Sequence, residues 1–305
     1  MSDRHDTAEG RPAYWIDGTR LEAPRLDPGL YIVATPIGNL GDMTLRGLAT
    51  LAAADVVACE DTRTSRVLFE RFGLRSRLVA YHEHNADKMR PRILEMLGEG
   101  KTVALVSDAG TPLVSDPGYR LVAEAAAAGH AVVPIPGASA MLAALVTAGL
   151  PTDTFLFLGF LPVKASQRRR RLEEIGTIPA TLVVYEAPHR LVECLADMVA
   201  IFGPDRPAAV ARELTKRFET VRRGALGSLH DEFAAAEAIR GEIVVVVGPP
   251  ATAAVEIDID AALADALARL SVKDAAEEVA RIAGKPRREV YARALELKKA
   301  GDGPR

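Results

Sequence analysis

The chain has little of what usually marks metal, disulfide or membrane chemistry. Only two cysteines, Cys59 and Cys194, occur among 305 residues. They fall in segments that read as a strand and a helix, the pattern of buried free thiols in a reducing cytoplasm. His82-Glu83-His84 places two imidazoles two residues apart with no third ligand in view, so no metal site is expected. The stretch from Ala131 to Leu150 is almost wholly apolar, but Pro134, Pro136 and Gly137 divide it into pieces too short to cross a bilayer. No membrane span is therefore expected. Residues 1–28 mix charges with Pro and Gly and lack an apolar signal core, which predicts a flexible extension and no targeting signal. Neither G-x-x-x-x-G-K-[ST] nor a clean G-x-G-x-x-G is present, which excludes the usual triphosphate and dinucleotide cradles. The net charge of −3 excludes a globally basic nucleic-acid binder.

Three short loops stand out instead: Thr35-Pro36-Ile37-Gly38-Asn39-Leu40, Ser107-Asp108-Ala109-Gly110-Thr111-Pro112 and Pro136-Gly137-Ala138-Ser139. Each follows an apolar run and precedes a helix-like segment. In a parallel sheet such loops gather at one edge, where glycine permits close backbone approach to a ligand. Without a phosphate cradle, they suit a small adenosyl-type ligand or another with an uncharged tail.

From Leu30 to Leu150 strands and helices alternate, and runs such as Tyr31-Ile32-Val33-Ala34 and Thr102-Val103-Ala104-Leu105-Val106 are continuously apolar. Strands buried on both faces of a parallel sheet read this way. Leu150-Pro151-Thr152-Asp153 marks a boundary, giving α/β domains over 29–150 and 151–250 with a ligand cleft between them. Two strand-like runs on either side of Thr220 predict a hairpin and a partly antiparallel second sheet. Residues 258–300 read as three short helices: Ser271-x-x-Asp274 resembles a capping box, Gly284 ends the second helix and Pro286 can start the third. The expected architecture is two α/β domains with a helix-turn-helix-like appendage. Three stretches are locally basic: Lys164 to Arg171, Arg212 to Arg223 and Lys285 to Lys299. Such patches suffice to hold phosphate backbones, although a run like Arg168 to Arg171 by itself reads as a solvated helix start.

The ordered motifs TPIGNLGD, CEDTRTS, HEHN, SDAGTPLVSDPG, PGAS, GFLP, YEAPHR, ARELTK and GEIVVVVG, from Thr35 to Gly248, resemble the tetrapyrrole methylase superfamily, most closely its rRNA-methylating branch. The resemblance runs from Gly29 to about Lys299. It implies S-adenosylmethionine bound between two α/β domains, a homodimer, and 2′-O-methylation of a cytidine ribose in the decoding region of 16S rRNA, either free or in the small ribosomal subunit. On the same fold a precorrin-type C-methyltransferase or a non-catalytic ribosome-binding factor are the alternatives. The basic patches and terminal helices argue against the former, and the retained cofactor-side loops against the latter. Pro36, Gly38, Asp108, Ala109, Gly110, Thr111, Pro112, Ser139 and Ala140 match the cofactor-side loops. A ribose hydroxyl needs in-line alignment and a positioned base. Candidates for that role are Glu60, Asp61, Glu186, Glu213 and Lys216, with the alternative that Asp61 only caps a helix and pairs with Arg63. With RNA as substrate, Arg168, Arg169, Arg170, Lys285, Arg287, Arg288 and Lys298 become expected phosphate contacts.

Overall fold

The computed structural model describes residues 11–114, 118–251 and 258–301. The chain divides into two compact units, Met1–Pro250 and Ala251–Arg305.

The larger unit opens with an antiparallel hairpin, β1 (Ala13–Ile16) and β2 (Thr19–Glu22). Its turn is Asp17-Gly18, both at positive φ (46° and 81°), the geometry a two-residue hairpin loop requires. Tyr14 is buried in a core with Leu48, Leu51, Phe69 and Phe72, and Trp15 packs on Gly73 closely enough that a Cβ there would lie 2.5 Å from its ring. This corrects the expectation of a flexible extension over 1–28: residues 13–22 are tied down by the burial of an aromatic, and residues 1–10 lie outside the described residues.

β3 (Gly29–Val33), β4 (Val56–Cys59), β5 (Arg77–Ala80), β6 (Thr102–Val106) and β7 (Val132–Ile135) form an all-parallel sheet in the order β5-β4-β6-β3-β7. Every residue of β4 and β6 is buried, because helices cover both faces. Leu48 and Leu51 of helix Leu45–Ala53, with Leu68, Phe69 and Phe72 of helix Thr62–Phe72, cover one face. On the other lie Ile93 and Leu97 of helix Ala86–Gly98 and Leu121 and Ala125 of helix Tyr119–Ala127. All five carboxyl ends therefore lie along one edge.

The second sheet comprises β8 (Phe155–Phe160), β9 (Thr181–Glu186), β10 (Pro207–Arg212), β11 (Thr220–Ala225) and β12 (Ile243–Val247), in the order β11-β10-β12-β9-β8. Only β8 and β9 are parallel; the remaining pairs are antiparallel, and β10 and β11 form the expected hairpin. The register Arg212↔Ile243↔Glu186 aligns the ends of β10 and β9 with the start of β12. Cys59 lies in β4 and Cys194 in helix Leu191–Phe202, both buried and free. The boundary expected near residue 150 falls between the sheets. They nevertheless share a core: Ala144 and Leu145 of helix Ala140–Thr147, and Ile37 from the loop after β3, pack on Val183, Ala209, Ala211, Val244 and Val246.

The smaller unit holds helices Ile259–Leu267, Val272–Ala283 and Arg287–Gly301 around Leu263, Ala266, Ala275, Ala276, Val279, Val290 and Ala294. Ser271 Oγ accepts the Asp274 N–H and caps the second helix, and Gly284 ends it at φ 63°. Alanines let the helices approach closely. The Arg293 guanidinium grips Asp260 through two bonds, of 2.8 and 2.6 Å.

Candidate active site

The loops at the carboxyl edge of the first sheet are stitched to one another by backbone. Thr35 N–H donates to Gly110 O at 2.9 Å and Gly110 N–H returns to Thr35 O at 3.0 Å, joining the loops after β3 and β6. The Thr35 hydroxyl donates to Ser107 O, and the Thr111 hydroxyl to Ala138 O in the loop after β7, at 3.1 and 3.2 Å. The loop after β4 joins through Asp61 N–H on Asp108 Oδ1 at 3.0 Å. Each bond contributes about 1 kcal/mol; together they hold four loops in one arrangement.

Two adjoining chambers open against these loops. The first, about 430 Å³, is lined by Asp108, Ala109, Gly110, Thr111, Ser139 and Ala140, and opposite them by Phe160, Tyr185, Pro188, Leu214 and Ile243. Among the described residues no lysine or arginine lines it. Gly110, at φ 78°, keeps the wall open: a Cβ there would meet the Ile37 side chain at 3.3 Å. The second, about 510 Å³, is lined by Thr35, Pro36, Gly38, Thr64, Ser107 and Lys216 among others. Ile37, Asp108, Ala109 and Glu242 line both.

Lys216 is the cation of the second chamber. Its Nζ lies 2.9 Å from Glu213 Oε1 and 3.1 Å from Glu242 Oε2. Its stem lies on Gly38, where a Cβ would come within 2.4 Å of Lys216 Cε, and Gly241 leaves equally close room for the Glu213 side chain. Both glycines are at positive φ, 137° and 91°. Burial pulls the Lys216 ammonium down, but the hydrogen bonds to Glu213 and Glu242 outweigh it and hold the pKa above the usual lysine value. The Glu242 N–H and then Lys216 hold Glu213 below the carboxylate range. Lys216 is thus a fixed cation and not a base at neutral pH.

The remaining candidates separate clearly. Asp61 caps helix Thr62–Phe72 and pairs with Arg63, which holds its carboxyl down to about 2; the capping alternative describes it. Glu60, at the end of β4, is pushed up by burial first and then by the charge of Asp108. Glu186 lines the first chamber at the end of β9; its side chain is 0% exposed, and its Oε1 accepts the Ala187 N–H at 2.8 Å and lies 3.4 Å from Arg190 Nε, which braces the loop after β9. Pro36 and Gly38 line the second chamber, not the first, and Pro112 lines neither.

Of the expected phosphate contacts, Arg168 is also corrected. It is 2% exposed and its Nε lies 2.7 Å from Asp197 Oδ2, because helix Ala165–Ile175 turns it to the face that carries Leu172 and Ile175. Arg169 shares Asp197 at 2.6 Å but remains half-exposed, and Arg170 is exposed beside Glu174. In the smaller unit Arg287 pairs with Glu277, whereas Lys285, Arg288 and Lys298 have no ion-pair partner among the described residues. Sequence reasoning does not single out Phe160, Tyr185, Pro188, Gly241 or Glu242, although each stands inside a motif named above; the aromatic and Pro/Gly content of GFLP, YEAPHR and GEIVVVVG is the signal that could have found them.

Residues 29–230 match the tetrapyrrole (corrin/porphyrin) methylase family, and residues 253–298 the RsmI C-terminal HTH domain. The chain is 56% identical over 292 residues to ribosomal RNA small subunit methyltransferase I of Mesorhizobium japonicum, covering 94% of this chain and 99% of that one. It is 48% identical to the protein of that name from Pseudomonas aeruginosa, covering 88% and 96%. Among solved structures, uroporphyrin-III C-methyltransferase from Thermus thermophilus complexed with S-adenyl homocysteine aligns at TM-score 0.52 and 20% identity, over 72% of this chain and 96% of that chain. Diphthine synthase aligns at 0.57 and 19%, over 72% and 89%; both likenesses bear on the fold alone. Stitched loops over a parallel sheet, a second mixed sheet facing them and a terminal three-helix unit are accounted for together: the chain belongs to the tetrapyrrole methylase family, in its ribosomal RNA small subunit methyltransferase I branch.

Proposed function

We infer that the protein is an S-adenosylmethionine-dependent methyltransferase of small-subunit rRNA, and that it methylates the 2′-hydroxyl of a cytidine in the decoding region. The observation that carries this reading is the pair of adjoining chambers, one without a cation among the described residues and one holding Lys216, that share Asp108 and Glu242. A donor with an uncharged adenosyl body suits the first, and a phosphate-bearing acceptor suits the second.

The residues of the first chamber fit the donor. Gly110 leaves the wall bare, and Asp108, Thr111 and Ser139 offer polar groups among apolar neighbours. When bound, S-adenosylmethionine supplies a methyl group on a sulfonium sulfur that leaves as a neutral thioether. The chain's task is then to align the ribose oxygen with that methyl and to receive the hydroxyl proton. Asp61 is neutralised by Arg63 and Glu242 by Lys216, whereas Asp108 has no ion-pair partner among the described residues. We assign the proton to the Asp108 carboxylate, which stands where the chambers meet, with Glu60 close enough to be raised by its charge. The Lys216 ammonium, fixed by two carboxylates, orients the acceptor's backbone.

The basic terminal unit is the proposed anchor on rRNA, through Lys285, Arg288 and Lys298. A second copy of the chain is the proposed cover for Leu142 and Val146, which are 46% and 71% exposed on helix Ala140–Thr147, and for Phe155 on edge strand β8. Among the described residues no helix is long and apolar enough to cross a membrane; we place the enzyme in the cytoplasm with its substrate.

Incubation with labelled S-adenosylmethionine and either naked rRNA or small subunits from a strain lacking the enzyme tests the whole reading. The expected product is a 2′-O-methylcytidine in the decoding region, located by mass mapping. Absence of label from both substrates would overturn it.

A further inference from the structure

The loop joining β10 to β11, residues 213–219, has a feature that methyl transfer itself does not require. Glu213 and Thr215 both adopt positive φ, 52° and 65°, conformations that non-glycine residues hold only when their surroundings impose them. The constraints are visible: Glu213 N–H on Glu242 O, Lys216 N–H on Glu213 O, Glu219 N–H on Lys216 O, and Thr215 N–H on Glu219 Oε2 at 2.6 Å. This stiff loop ends in Phe218, which is 64% exposed. The Arg217 guanidinium lies over its ring, 5.5 Å from the centroid, and has no carboxylate partner among the described residues. Two residues earlier, Lys216 lines the charged chamber. Other exposed apolar side chains, such as Leu142 and Val146, stand together on one helix, whereas Phe218 stands among charged neighbours on a polar loop.

We propose that Phe218, with Arg217 beside it, is a stacking platform for a nucleobase that flanks the methylated nucleotide. The proposal rests on the rRNA reading above. A ribose presented to the chambers must be drawn out of helical stacking, and its neighbours then expose π faces that an aromatic ring can take up. Phe218 supplies the ring. The uncompensated guanidinium of Arg217 serves both the base, by cation–π contact, and the adjoining phosphate. A preformed loop spares the ordering that a mobile one would undergo on binding.

The test uses the full-length protein and whichever RNA form the wild type methylates; a wild type that methylates none fails the functional reading itself and not the platform alone. Phe218→Ala is expected to weaken RNA binding and raise KM for RNA by about tenfold to a hundredfold, with S-adenosylmethionine affinity and Tm unchanged. Phe218→Tyr and Phe218→Trp restore binding to within about threefold of wild type, as stacking demands, and Phe218→Leu does not. In a Trp15→Phe background, which removes the only native tryptophan, the indole introduced by Phe218→Trp is quenched as RNA is added. Wild-type RNA affinity in Phe218→Ala overturns the platform. Rescue by Phe218→Leu overturns it as well, since it would identify an apolar contact with a protein surface. An introduced indole whose emission ignores saturating RNA does the same.

Discussion

The two sheets of the larger unit contribute to the chambers in different ways. The parallel sheet offers main chain: its four stitched loops present small residues, glycine and hydroxyls, and its charges at the site are acidic. The mixed sheet and its loops offer side chains: Lys216 and Glu242 line the second chamber, with Glu213 holding Lys216, while Arg168 and Asp197 are consumed between helices Ala165–Ile175 and Leu191–Phe202. The difference follows from topology. Parallel strands release all their carboxyl-end loops at one edge, so backbone is abundant there, whereas an antiparallel hairpin such as β10–β11 brings one compact loop that can be armed with charge.

If backbone shape decides donor binding, Gly110→Val should abolish it. The residue must leave φ 78° or press a side chain on Ile37, and calorimetry should show no S-adenosylmethionine binding by a variant whose circular dichroism matches wild type. Retained binding would break the comparison on the parallel side. On the other side, Asp197→Ala strands the buried Arg168 charge and should cost about 3–5 kcal/mol of stability, read by denaturant titration. Arg168→Met in the same background should recover part of that loss, whereas a phosphate-binding Arg168 would show lost RNA affinity at unchanged stability.

Lys216→Ala should lower single-turnover methyl transfer about a hundredfold by misplacing the acceptor while donor affinity stays as in wild type; transfer within about threefold of wild type would reduce Lys216 to a surface pair. Removing the chain after Pro250 should weaken rRNA binding and flatten its salt dependence, with donor affinity unchanged. The smallest effect is that of pH on the clamp. Glu213 is depressed, so its contribution is present above the ordinary carboxylate pKa and is lost as pH falls through its folded value; Lys216 is raised, so its contribution is complete below the ordinary lysine pKa and fades only as pH rises through its folded value. The difference in Tm between wild type and Glu213→Gln should therefore be flat from about pH 6 to 9. A slope inside that window would place the titration on another group.

Much of this arrangement is written plainly in the chain. The continuous apolar run Thr102 to Val106 gives β6 with its observed limits, and Ser271 and Gly284 stand where caps are needed. The N-terminal hairpin is not so plain: Asp17-Gly18 is a turn signal, but the charged and Pro-rich flanks make the segment read as a flexible extension. Arg168 is harder. Its spacing to Leu172 and Ile175 puts it on the buried face of the helix, but four consecutive arginines read as surface, and the partner that permits burial, Asp197, lies 29 residues away on another helix. Within the clamp Glu213 is only three residues from Lys216, in ARELTK, but distance in sequence conceals the rest, since Gly38 and Glu242 meet Lys216 only in the folded chain.

The pairing of β3 bears on how the protein is made. Its neighbours are β6 and β7, through Gly29↔Thr102 and Leu30↔Val132, so the first strand of the parallel sheet finds no partner until residues 102–135 have been synthesised. Until then Leu30, Tyr31 and Val33, all buried in the finished fold, remain uncovered on a strand with two open edges. The interior position of β3, between two strands that follow it in the chain, thus delays closure of the sheet during translation and makes the emerging chain, not the mature one, the form most exposed to misassociation.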